Sequence, residues 1–330
     1  MKLWRIVALG SLLIPLLIWL FLCLPQGGRY PKSDHYRRGA FFNPEPVDAS
    51  FLQFVYWRLT RTDPEWPVAV TIGRSDLPPE RVGQGELRVT FINHATTLIQ
   101  MDGFNILTDP IWSERASPVS WAGPQRVHPP GLPFEELPLI DIVLISHNHY
   151  DSLDLPTIRR LSAEHQIALF VAPLGVEGTL RLATTDPIQQ LDWWENVERL
   201  GGLRITCVPA RHWSQRGLCD KNRSLWGGFV IEGPSGRVLF AGDSGYGEHF
   251  KQIKERVGAL RLAILPIGAY APRWFMGSKH MTPEEAVQAH LDLGARHSLG
   301  MHFDCFPLGD EPYGEAPRRL RRAAEALEAD

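Results

Sequence analysis

Four apolar, strand-like runs in this chain each stop at histidine or aspartate. IDIVLIS (Ile140 to Ser146) runs into His147-Asn148-His149-Tyr150-Asp151, LRITCVPAR into His212, RVLFAG into Asp243 and HSLGM into His302. Imidazole nitrogen and carboxylate oxygen are the donors that zinc and related divalent ions prefer, and two histidines at i and i+2 can meet on one ion from a loop. A lone histidine at a strand end reads as a hydrogen-bonded core residue. A His-x-His-x-Asp cluster reads as metal-binding, and the three later strand ends supply His, Asp and His from distant sequence. The fold must bring these ends together.

The surrounding pattern says how. From Leu87 the chain reads LRVTFI, TTLIQM and FNILTD with short turns between, including Asp102-Gly103; this is a meander. Strands and helices then alternate: IDIVLIS, a helix from Asp154 to about Ala163, IALFVA, LRITCVP, GGFVIEG, RVLFAG and LAILPIG. A helix opened by Thr282-Pro283-Glu284-Glu285, HSLGMH and a charged helix from Glu315 complete the series. A hairpin-rich sheet followed by alternating elements predicts two sheets covered by helices, with functional groups on loops leaving strand ends.

Composition removes several alternatives. With 34 Lys and Arg against 37 Asp and Glu, a net charge of -3 and no block of like charge, no phosphate-tracking stripe is available, so nucleic acid is not an expected partner. The four cysteines, Cys23, Cys207, Cys219 and Cys305, lack CxxC spacing, which excludes a zinc ribbon.

Hydropathy is concentrated at the start. Ile6 to Leu24 reads IVALGSLLIPLLIWLFLCL without a charge, after Lys2 and Arg5. As a helix at ~1.5 Å per residue it spans roughly 28 Å, close to a bilayer core of about 30 Å. It lacks an A-x-A cleavage site, so an uncleaved transmembrane anchor is expected over residues 1–24, in competition with a signal peptide. Arg29, Lys32, Arg37 and Arg38 rival Lys2 and Arg5, so charge does not fix the orientation. A connecting arm follows over 25–86, with FFNPEP and the helix-compatible FLQFVYWRL (Phe51 to Leu59), read as packing on the main domain or touching a membrane surface. The remainder, 87–330, is expected to form one large domain carrying the His and Asp strand ends.

The order HxHxD, His, Asp, His resembles the metallo-beta-lactamase superfamily. More specifically, TFINHATTLIQMDGFNILTDPIWSERASP, SHNHYDSLDLPT, PARHWSQRG, FAGDSGYG, IGAYAPRWFMGSKHMTPEEAVQAHLDLGA and MHFDCFPLGDEP resemble the N-acyl-phosphatidylethanolamine-hydrolysing phospholipase D family and its bacterial relatives, over roughly Ser33 to Pro312. The resemblance implies an α+β, four-layer αββα sandwich. It implies a first zinc on His147, His149 and His212, and a second on Asp151 and His302, with Asp243 bridging. One departure matters: the family pattern is HNHYDHLD, so Ser152 stands where a second-zinc histidine is expected, and a serine hydroxyl is a poor zinc ligand. The second site is thus weaker, differently filled or empty.

The implied chemistry is attack by zinc-activated water on phosphorus. Asp151 or Asp243 would orient the nucleophile and His280 would polarise a phosphoryl oxygen, unless His280 is simply structural. His94 and Asp109 read as residues that orient ligands without touching metal; Trp193-Trp194 and Trp274-Phe275 read as core or pocket wall. The favoured expectation is a phospholipid phosphodiesterase anchored in a bacterial inner membrane, its side open. Alternatives are a same-fold hydrolase of a soluble ester, lactone or sugar-phosphate-like substrate, and a metal-retaining binding or sensing protein without turnover.

Overall fold

The computed structural model describes residues 28–47, 50–61, 65–165, 167–199 and 202–327. The expected anchor at 1–24 lies outside them; among the described residues, no helix is long and apolar enough to cross a membrane.

In chain order the first half comprises β1 (Tyr36–Arg37), β2 (Ala40–Phe41), α1 (Phe51–Thr60), β3 (Leu87–Asn93), β4 (Thr96–Met101), β5 (Phe104–Thr108), β6 (Ile142–Leu144), α2 (Leu155–His165), β7 (Leu169–Pro173), α3 (Glu177–Leu180) and β8 (Ile188–Leu191). The second half comprises β9 (Asn196–Arg199), β10 (Leu203–Val208), β11 (Gly228–Gly233), β12 (Gly236–Phe240), α4 (His249–Val257), β13 (Leu260–Pro266), α5 (Arg273–Met276), α6 (Pro283–Leu293), β14 (Ala295–Met301) and α7 (Glu315–Ala326). Strands β3 to β8 form one six-stranded sheet in sequence order, and β9 to β14 form the other. Each sheet begins antiparallel and turns parallel, at β5–β6 in the first and β12–β13 in the second.

Side-chain alternation makes the layers. Ile142 and Leu144 join Ile205, Phe229, Ile231 and Phe240 in a core between the sheets. Their neighbours Val143 and Ile145 point the other way, onto Ile158 and Leu161 of α2. On the far face of the second sheet, Val230, Leu239 and Ala263 meet Phe250 and Ile253 of α4 and Ala286, Ala289 and Leu293 of α6. A strand buried on both faces needs the unbroken apolar run seen in IDIVLIS. The expected helix–sheet–sheet–helix layering is therefore present, in a mixed α/β fold.

The residues before β3 are built into this body. Tyr36 and Phe41 lie in the inter-sheet core, and His35 stacks on Trp193 at 4.4 Å between ring centroids. Helix α1 starts with a capping box, the Ser50 side chain accepting from Gln53 N while Gln53 reaches back to Ser50 N. It seats Trp57 against Phe275 and Met276 and leaves Leu52, Tyr56 and Leu59 exposed. Trp193 is core as expected, whereas Trp274 is half exposed, edge-on to Tyr56. Strands β8 and β9, polar and short (IQQL, NVER), carry no run the sequence reading could pick out.

Candidate metal centre

Strand direction decides what can meet. Because β3 and β4, and β4 and β5, are antiparallel while β5 and β6 are parallel, the C-terminal ends of β3, β5 and β6 share one edge of the first sheet. The same reasoning puts the ends of β10, β12 and β14 on one edge of the second. From these six ends leave His94, Asp109, the His147–Asp151 loop, His212, Asp243 and His302. Gly242 permits the approach: it has φ +61°, and a Cβ there would lie 2.7 Å from Ser146 Cβ and 2.8 Å from the Gly227 carbonyl oxygen.

Three overlapping donor groups result among the described residues, two of them joined through His302 into one second position. In the first, His147, His149, His212 and Asp243 bring ligand atoms within 4.8 Å of one another. His147 Nε2 lies 2.8 Å from His149 Nδ1, which is 3.3 Å from His212 Nε2. Asp243 Oδ2 lies 3.8 Å from His147 Nε2 and 3.7 Å from His212 Nε2. In the second, His302 Nε2 sits 3.2 Å from Asp151 Oδ2 and 3.1 Å from Asp243 Oδ2, so Asp243 faces both groups. All six sequence-predicted ligands are thus brought together. His280 is there too, its donor atom within 4.8 Å of those of Asp243 and His302.

The tautomers follow from the outer partners. His212 Nδ1 donates to the Lys279 carbonyl at 3.0 Å. His147 Nδ1 donates to Ser146 Oγ at 2.8 Å, and that hydroxyl donates to Asp109 at 2.5 Å. Both rings therefore turn an Nε2 lone pair inward. Burial lowers the pKa of His147, holds His212 well below its ordinary value and, with the adjacent His147 charge, takes His149 down to about 3. Neutral imidazoles with lone pairs a few ångströms apart repel unless a cation lies between them. Zinc bonds of about 2.0–2.1 Å in a tetrahedron separate ligand atoms by roughly 3.3 Å, a spacing these distances bracket. The residues fit a divalent ion.

His302 behaves differently. Burial opposes its charge, but Asp243 and Asp151 overcome burial and push it up to about 10. Both carboxyls are in turn held well below the usual carboxylate range, where burial alone would raise them; His302 is the main opposing charge. A divalent ion would supply the positive charge that these two carboxylates call for. Asp109 is fully buried with its pKa well above the usual carboxylate range, because burial outweighs its bonds from Ser146 N and Oγ. It touches no ligand directly and acts through Ser146, as the sequence predicts.

His94, read from the sequence as orienting ligands without touching metal, has Nε2 3.2 Å from Asp151 Oδ2 and groups with Asp151 and His302. Two residues escaped the sequence reading. Asn43, in the arm, bonds both main-chain groups of His212, donating to the carbonyl at 2.7 Å and accepting from N–H at 3.2 Å. Arg216 donates to the carbonyls of Asn148 and Leu153 at 3.1 and 2.8 Å, clamping the His147–Asp151 loop. No pattern in the sequence marks those two.

Comparison with known proteins agrees with this geometry. A family model described as a beta-lactamase superfamily domain matches residues 104–303. An N-acyl-phosphatidylethanolamine-hydrolyzing phospholipase D of Caenorhabditis elegans is 41% identical, over 73% of this chain and 71% of that one. An uncharacterized protein of Mycobacterium tuberculosis is 40% identical, over 89% and 80%. The solved metallo hydrolase Igni18 of Ignicoccus hospitalis shares the fold, with a TM-score of 0.54 at 22% identity, covering 74% of this chain and 93% of that one. The chain is a metal-dependent hydrolase belonging to the beta-lactamase superfamily, on the branch that includes N-acyl-phosphatidylethanolamine-hydrolysing phospholipase D.

Proposed function

We propose that the protein is a zinc-dependent phosphodiesterase of phospholipids, cleaving a substrate such as N-acyl-phosphatidylethanolamine into phosphatidic acid and an N-acylethanolamine. The observation that carries the reading is the pair of donor groups sharing Asp243 in a chain 41% identical to a phospholipase of that specificity. Two adjacent donor groups suit a phosphodiester, whose attacking and departing oxygens both need charge stabilisation.

His147, His149, His212 and Asp243 would hold one zinc ion and Asp151 and His302 a second, which would supply Lewis-acid charge and lower the pKa of water. The chain's own residues do the rest. Asp151 or Asp243, kept ionised, orients the attacking water and accepts its proton, which then passes to the departing alkoxide oxygen. His280, lowered by burial to about 3, is neutral at pH 7; its Nδ1 has no hydrogen-bond partner among the described residues, and its ring N–H can donate to a phosphoryl oxygen.

The membrane part of the reading rests on Ile6 to Leu24, which we propose anchors the enzyme to a bacterial inner membrane. The exposed Leu52, Tyr56 and Leu59 of α1 and Trp274 beside them support a lipid-facing side. A panel of N-acyl-phosphatidylethanolamine, phosphatidylcholine, simple phosphodiesters and lactones, assayed with zinc, tests the substrate. Release of N-acylethanolamine above all other products is expected; turnover of lactones alone would sink the lipid reading.

A further inference from the structure

Asp151 and His302 are the only sequence-predicted residues committed to the second donor group, since Asp243 also faces the first. Ser152, where the resemblance leads one to expect a histidine, is fully buried and offers a neutral hydroxyl. On the other side of Asp151 stands His94. Its Nε2 is 3.2 Å from Asp151 Oδ2, the same separation as His302 Nε2, and the two imidazole centroids are 4.1 Å apart. The two 3.2 Å separations are close to the roughly 3.3 Å edge of a tetrahedral zinc site.

The backbone holds His94 there. It occupies the two-residue turn between Asn93 and Thr96, which pair across β3 and β4. The N–H of His302 donates to the His94 carbonyl at 2.7 Å, tying the two turns together across the sheets. Both residues have left-handed backbones, with φ +45° at His94 and +60° at His302. Such conformations in residues other than glycine persist where the surrounding structure enforces them, often at functional sites. His94 Nδ1 is buried and has no hydrogen-bond partner among the described residues, so no outer donor commits Nε2 to carrying the proton.

We propose that His94 is a direct ligand of the second metal position, replacing in space the histidine that Ser152 replaces in sequence, and completing a set with Asp151 and His302. This deepens the metal-dependent reading given above and rests on it. The competing role is positioning: Nε2–H donates to Asp151 and aims that carboxylate at an ion His94 never touches.

Zinc-soaked crystals of the full chain, located by anomalous scattering, separate the two roles. Two ions are expected, the second at ~2.0–2.1 Å from His94 Nε2. A second ion bound by Asp151, His302 and Asp243 with His94 Nε2 left at hydrogen-bond distance from Asp151, or a single ion, overturns the proposal. In solution, Co(II) titration followed by absorption should show two equivalents for the wild type. His94→Ala should keep the first equivalent, which reports an intact fold, and weaken the second at least about 100-fold, the upper end expected for loss of a positioning partner. Adding Ser152→His should restore it. Two tight equivalents in His94→Ala contradict the assignment. Both readouts count metal without lipid: two ions without phospholipid turnover would sink the function and leave His94 in place, whereas one ion with turnover does the reverse.

Discussion

At the scale of single residues, the centre depends on side chains that never touch the ion. Asp109 holds Ser146, and Ser146 sets the tautomer of His147. Asp109→Ala should therefore lower metal affinity by about 10–100-fold with the ligands intact, measured by competition with a chelator. His280 is the converse case. His280→Asn should reduce kcat by about 10²–10³-fold as a lost hydrogen-bond donor to the phosphoryl oxygen, with metal content by mass spectrometry unchanged; loss of an ion would make His280 a ligand instead. The six grouped residues were legible in the sequence because each follows, or sits just beyond, an apolar run that reads as a buried strand. His94 was harder to place, because its run ends in a tight turn where a histidine reads equally as a turn residue. Asn43 and Arg216 act through main-chain atoms, which no side-chain pattern announces.

At the scale of elements, the arm is fastened by a titratable group. His35 Nε2 bonds Asp192 at 2.6 Å and Nδ1 bonds Asp34 at 2.6 Å. Burial would lower its pKa, but the bonds to Asp192 and Asp34 win and raise it. A raised folded-state pKa stabilises fully below the unfolded value of about 6.5 and fades as pH climbs through the folded value. His35→Gln should thus cost about 1 kcal/mol near pH 6, and distinctly less well above pH 7, in denaturant melts at each pH. An equal cost at both would deny His35 its charge. The layered core was readable because period-two burial leaves long apolar runs. The half-exposed β8 and the polar β9 were not, because pairing with β7 and β10 rather than composition makes them strands.

At the scale of the whole molecule, the arm is tied to the metal centre through the inter-sheet core and Asn43. Removing residues 1–27 should leave a folded, metal-binding protein, because Tyr36, Phe41 and Asn43 are retained. Removing residues 1–47 takes two inter-sheet aromatics with it, at roughly 3–5 kcal/mol each for side chains of that size. That truncation should unfold or aggregate, which circular dichroism and size-exclusion chromatography would report. The central claim is that metal at the His and Asp strand ends drives phospholipid hydrolysis. Its most direct measurement is N-acylethanolamine release from N-acyl-phosphatidylethanolamine vesicles by one preparation, before chelation, after chelation and after zinc is returned, with His147→Ala alongside. Activity that disappears with the metal, returns with zinc and is absent from His147→Ala is the result expected. Release that persists in the chelated enzyme and in His147→Ala would contradict the account.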